Sequence, residues 1–256
     1  MTVPPTRQAL VRTLHDENAH WGVGRAGMRY RDLLPDRHGG AFIASHIRLL
    51  QGGPVADYVH YHKVRFQLIF CRKGWVRVVY EGQGEPFLLE AGDCVLQPPL
   101  IRHRVLESSA GAEVVEIGAP AQHITLADPH MSLPSAPLPP DHDFGGQRFV
   151  RSRQSDAVWQ PWRLPGFEAR DTGIAQATDG LASVRVVRQA QAQSEAHHSQ
   201  DSEFCFFYVL SGQLQLTLDG QTQTLGADDS LTLPAGLPYG LSTQGAVEFL
   251  EVLLPA

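Results

Sequence analysis

Cysteine is scarce: the 256 residues hold three, Cys71, Cys94 and Cys205, and no two of them form a C-x-x-C pair. That excludes a disulfide scaffold and a zinc knuckle, and fits reduced, buried thiols. Long apolar runs are missing as well. Gly, Pro or charge breaks each one well short of the roughly 20 residues that a membrane helix needs, so no membrane partner is expected. Residues 1–14 carry two prolines and polar side chains where a secretory leader would hold its apolar segment, and the expected location is cytoplasmic. Positive charge is in deficit, with 21 Lys+Arg against 27 Asp+Glu and a net charge of −6. A phosphate-tracking surface is thereby disfavoured, and nucleic acid is not expected as a partner. Charged residues make up only 19% of a chain that is 43% hydrophobic, which suits a folded domain and not a disordered one.

Turn-formers are plentiful, with 24 Gly and 18 Pro. Between them lie short apolar or alternating segments at 42–50, 58–62, 67–71, 75–80, 87–89, 94–97 and 114–117. After a stretch of five prolines between Leu126 and Pro140 the pattern returns at 184–187, 204–210, 213–218, 231–233 and 247–254. Segments of this length and spacing predict an all-β barrel or sandwich. The second stretch repeats the first. His198, Phe204 and Gly212 follow His60, Phe66 and Gly74 at an offset of 138, while Arg170-Asp171 follows Arg31-Asp32 at 139 and Pro234 follows Pro98 at 136. Two homologous β domains are expected, 1–124 and 166–256, joined by a Pro-rich linker at 125–165, with a short helical segment at 7–20.

The chemistry-bearing residues cluster in the first half. His60 and His62 alternate on a strand and so point to one face, about 6.5 Å apart along the chain. Gln67 follows after four residues and Gly74 after six more. Pro98 and Pro99 cannot continue a central ladder, so a turn there can swing His103 back toward the first pair. Three neutral imidazoles with an amide oxygen make a four-ligand site for Fe(II), Mn(II), Ni(II), Co(II) or Zn(II). Gln67 is either a ligand or a residue that orients bound water. With no carboxylate among the ligands the metal would keep its full +2 charge and favour an anionic or enolisable oxygen. Gln97 and Tyr58 are the candidate substrate contacts. His46 and Arg48 alternate with Ile43, Ile47 and Leu49 and are assigned to a solvated face. His15, His20, His38, His123, His130 and His142 fall outside any ligand pattern and are assigned to the surface. Trp159 and Trp162 are expected to pack the two halves together.

These residues resemble the cupin superfamily. Its first motif is Gly, His-x-His, three or four residues, Glu, six residues and Gly; its second is Gly, five residues, Pro-x-Gly, two residues and His. His60, His62, Gly74, Gly92, Pro98 and His103 match, whereas Gln67 stands for the usual Glu and Leu100 for the usual Gly. Six residues separate Gly53 from His60, one more than usual. The whole chain resembles a bicupin, two jelly-roll barrels in tandem. The second barrel keeps Pro234-Ala235-Gly236 but has His198, Gln200, Cys205 and Tyr239 at the ligand positions, so one divalent transition metal per chain is expected, in the first barrel. Pairing His198 with Glu203 instead would put Gly212 two positions late.

The resemblance implies a metal-dependent enzyme, with an Fe(II) dioxygenase acting on a small aromatic or diketone-like substrate as the first reading. An O2-independent isomerase, lyase or cyclase is the second. A non-enzymatic small-ligand-binding module is the third, because the second barrel shows the fold persisting without ligands. A homodimer stays open, since two fused barrels can imitate one within a single chain.

Overall fold

The structure, a computed structural model, describes residues 7–16, 20–191 and 197–255. They fall into two compact units, 20–156 and the described residues of 157–255, the second including 7–16. No helix among the described residues is long and apolar enough to cross a membrane.

Each unit is a pair of antiparallel sheets. In the first unit one sheet runs in the order Val150–Ser152, Cys94–Leu96, Phe66–Lys73, Ala112–Ala119, Ile43–Leu49, Arg29–Asp32, Gly22–Val23. The other runs Ile124–Ala127, His60–Lys63, His103–Ser108, Trp75–Tyr80, Phe87–Glu90, with Gly53–Pro54 added beside His103–Ser108. Strand alternation sends Ile43, Ile47, Leu49, Gln67 and Ile69 from one sheet, and Val76, Val78, Tyr80, His103 and Val105 from the other, to the lining of one cavity. The strand Phe66–Lys73 is buried on both faces along most of its length, which is why it reads as an almost unbroken apolar run.

The second unit has the same plan. Its larger sheet runs Val11–Thr13, Ser230–Thr232, Phe204–Ser211, Glu248–Leu254, Ser183–Gln189, Phe167–Asp171, Trp159–Pro161. Its smaller one runs His197–His198, Tyr239–Thr243, Leu214–Leu218, Gln221–Leu225. The repeat holds at the level of strand register. His103 lies opposite His60 as Tyr239 lies opposite His198, and Glu116 lies opposite Ile69 as Glu251 lies opposite Phe207. Gly74 and Gly212 close equivalent turns at φ of +68° and +75°, and an added Cβ would meet Ser109 Oγ at 2.3 Å and the Ala246 carbonyl oxygen at 2.0 Å. Only glycine fits either turn.

Several expectations need correction. The helix expected at 7–20 is, in its described part, the strand Val11–Thr13, paired with Ser230–Thr232. Two β-branched residues and an available sheet edge outweigh a weak helical period there. The stretch 125–165 is more than connection: Ile124–Ala127 pairs with His60–Lys63, and Val150–Ser152 pairs with Cys94–Leu96. The five prolines from Pro129 to Pro140 fall between these two strands, where no ladder hydrogen bond is lost. His46 is fully buried, its Nε2 2.8 Å from Glu113 Oε2 and its ring edge-on to Trp21, and His38 is buried too. Alternation tells which face a residue takes, not whether another segment covers that face. Trp162 belongs to the core of the second unit with Phe167 and Phe249, and Trp159 carries the Arg188 guanidinium over its ring.

Candidate metal centre

The three histidines converge because two strands and one turn bring them together. The backbone N–H of Gln97 donates to the Gln67 carbonyl at 2.9 Å, and that of Leu100 donates to the His62 carbonyl at 3.0 Å. The Pro98–Leu100 turn is thus tied to both strands that carry candidate ligands, and the chain returns to set His103 between His60 and Tyr80. Leu100 sits at the position where the resembling family has Gly, and its φ is +68°. That left-handed conformation costs a leucine roughly 1–2 kcal/mol.

All three ring pairs are in contact, with centroids 4.2 Å apart for His60 and His103, 5.0 Å for His60 and His62, and 5.2 Å for His62 and His103. One nitrogen from each lies within 4.8 Å of the others, a spacing that can hold one metal ion. The Nδ1–H groups of His60 and His103 donate to the Tyr58 and Ile101 carbonyls at 2.7 and 3.0 Å. A carbonyl only accepts, so these bonds fix the tautomer and leave the Nε2 lone pairs for a ligand. His62 Nδ1 is held by Thr125 Oγ1 at 2.8 Å. Behind His60, Asp57 Oδ1 lies 3.7 Å from Nδ1. His60 Nε2 is buried without a hydrogen-bond partner, and so is Gln67 Oε1. Two orphaned acceptors, one on an imidazole of the cluster and one in the wall of the adjoining cavity, fit a divalent cation.

Electrostatics agree with that donor set. Burial pushes the His62 imidazole down to about 3, with His60 and His123 adding to the effect. Burial, then His60 and His62, holds His103 well below the ordinary value, and burial with the Arg25 guanidinium lowers His60. Neutral imidazoles are the ligating form. Cys71, which shares strand parity with Gln67, is pushed up to about 12 by burial and Asp93, so it stays a thiol.

The same shifts make metal-free protein acid-labile. Each histidine has its pKa lowered from 6.5 on folding, so unfolding takes up protons below that value. Stability is complete above about pH 6.5 and is expected to fall by about 1.4 kcal/mol per pH unit for each imidazole still neutral in the fold. For His62 the loss runs down to about pH 3. Urea midpoints of the metal-free protein, compared at neutral and mildly acid pH, test this. A flat profile would mean solvated rings.

The cavity beside the histidines has a volume of about 510 Å³. Its walls are mostly apolar, and its polar groups include Gln67, Gln97, Tyr58, His123 and Glu116. Gln97 is buried and its Oε1 accepts from Tyr80 at 2.6 Å, which leaves its NH2 as the free donor. Tyr58 lines the mouth and is 48% exposed. His123, expected on the surface, has its ring 5.2 Å from that of His62. Glu116 escaped the sequence reading, although it shares strand parity with Val114, and Gln67 Nε2 donates to its Oε1 at 2.6 Å. In the second unit, Tyr239 and Glu251 stand at the positions of His103 and Glu116, and Arg163 pairs with Glu251 and donates to Tyr239 Oη at 3.1 Å.

Comparison with known proteins gives three kinds of likeness. A family model described as Cupin domain matches residues 184–253. Over 72 residues the chain is 33% identical to polyketide synthase CurC of Streptomyces cyaneus, a match covering 28% of this chain and 46% of that relative, less than half its length. Salicylate 1,2-dioxygenase of Pseudoaminobacter salicylatoxidans, solved with gentisate, superposes at a TM-score of 0.67 and 16% identity, covering 91% of this chain and 76% of that one. Oxalate decarboxylase of Bacillus subtilis superposes at 0.65 and 14% identity, covering 95% and 76%. At these identities the structural likeness is one of fold. Two sandwiches related by an internal repeat, a Cupin domain match on residues 184–253 and fold neighbours along most of the chain lead to one statement: the second unit matches the cupin family model, and the chain has the fold of two tandem cupin barrels.

Proposed function

We infer that the first unit is a metal-dependent oxygenase centre for a small aromatic or diketone-like substrate, with His60, His62 and His103 as the metal ligands. The observation that carries this is the convergence of three neutral imidazoles, two of them, His62 and His103, on the wall of a largely apolar cavity of about 510 Å³. Bound Fe(II) supplies Lewis acidity toward a chelating oxygen and the redox chemistry of O2. The chain's own residues do the rest. Apolar walls take the body of the substrate and exclude water. The Gln97 NH2, with its oxygen anchored by Tyr80, donates to a substrate oxygen, and Tyr58 closes the rim. A fold neighbour solved with gentisate supports an aromatic acid as the first substrate to try.

The test is O2 consumption by Fe(II)-loaded protein with catechols, gentisate-like acids and 1,3-diketones. Uptake dependent on one of them, and lost with a chelator, is expected; silence across the panel would overturn the oxygenase reading. A second reading keeps the metal and drops O2, with a polarised carbonyl undergoing isomerisation or cyclisation. Glu116 favours it, because a carboxylate on the cavity wall can accept a proton without any oxidant. Turnover that survives under anaerobic conditions would select it.

A further inference from the structure

Gln67 departs from the resembling family's pattern by lacking a carboxylate, yet a carboxylate is present one strand away. Glu116 lies on the neighbouring strand, and Gln67 Nε2 donates to it at 2.6 Å. A carboxylate only accepts, so this bond fixes the amide with its nitrogen toward Glu116. Gln67 Oε1 is then the outward atom, and it is buried with no partner. Both residues line the cavity with His62 and His103.

The second unit shows what a carboxylate at this ladder position requires. Glu251, the counterpart of Glu116, is fully buried and pairs with the guanidinium of Arg163. Arg163 follows Pro161 by two residues, and Pro161 lies opposite Glu168 on the adjoining strand. Arg25 stands in the same relation to Val23, which lies opposite Arg29. The two arginines are therefore counterparts. Arg25, however, ion-pairs with Asp57 at 3.6 Å, and Glu116 has no ion pair among the described residues. The counterpart of the guanidinium that pairs with the carboxylate in the second unit is thus paired with Asp57 in the first, where the histidines gather.

We propose that Glu116 is a positioning residue for the metal, acting through Gln67: it aims the amide oxygen at the cation and supplies, from one residue further out, the negative charge that Gln67 lacks. The proposal rests on the metal reading above. A charge-assisted bond to the amide N–H also raises electron density on its oxygen, making a neutral amide a better ligand.

The experiment is Co(II) affinity of metal-free protein by chelator competition, together with the visible spectrum of the Co(II) form. Glu116→Gln is expected to weaken binding by about 10–100-fold and to shift the Co(II) bands. In a Gln67→Ala background the same change should cost less than about threefold, because the path through the amide is gone. The exchange Gln67→Glu with Glu116→Gln restores both hydrogen bond and charge, and should return affinity to within about threefold of wild type. Thermal melts confirm that each variant folds. An unchanged affinity and spectrum in Glu116→Gln would overturn the proposal, as would an equal loss in the Gln67→Ala background. Folded wild-type protein that takes up no Co(II) would instead overturn the metal reading itself, and this inference with it.

Discussion

Replacing His103 by Ala is expected to lower Co(II) or Fe(II) affinity by more than about 100-fold, a larger loss than the 10–100-fold typical of residues that only support a ligand. The size follows from the geometry. His103 makes ring contact with both other histidines, and its Nδ1 is committed to the Ile101 carbonyl. Removing it leaves two imidazoles of the cluster and an amide. Wild-type protein is expected to bind one equivalent of metal, because the second unit already contains the Arg163 cation against Glu251 and offers Tyr239 where the first offers His103. His198→Ala should therefore leave stoichiometry and affinity unchanged. Elemental analysis with chelator competition on the three proteins decides the matter. Two metals per wild-type chain, or tight binding by His103→Ala, would end this assignment.

The second large effect is one of stability. Arg163→Met strips the guanidinium from Glu251, a carboxylate with no exposed surface. Removing one partner of a buried pair costs about 3–5 kcal/mol, because the other charge is left without compensation. Arg185 remains 3.6 Å from Glu251 Oε2, Trp162 Nε1 donates to the same oxygen at 3.3 Å, and the Arg163 side chain is 22% exposed. These place the expectation at the low end, about 3 kcal/mol, or a fall in Tm of about 10 °C or more for a unit of this size. The double variant Arg163→Met/Glu251→Gln removes both charges and should recover most of the loss. Denaturant titration of the two variants checks this. A single variant as stable as the double would mean that water already screens Glu251.

The sequence reached some parts of this site and not others, for reasons that can be named. His60, His62 and His103 stand out in the sequence as a candidate cluster because residues that could ligate one ion come in fixed spacings along strands and turns, and the structure brings their rings together. The register of the second barrel was found because the offset of 138 survives in His198, Phe204 and Gly212. Glu116 and His123 were missed because no spacing links them to the histidines. Glu116 arrives through sheet pairing opposite Ile69, and His123 comes from the segment leading into Ile124–Ala127. His46 was placed on the wrong side of the solvent boundary because its face of the strand is covered by Trp21, more than twenty positions earlier.

Local chemistry alone therefore determined the alternating strands, the glycine turns, the tandem repeat and the three imidazoles, since each depends on residues close together in the chain. Tertiary structure alone decided which charges meet. Arg163 found Glu251 and Arg25 found Asp57 although both arginines leave equivalent strands, and Glu116 came to hold the amide of Gln67. Side chains from distant strands share a cavity only after the sheets have closed, and the cost of burying an unpaired charge then selects their partners.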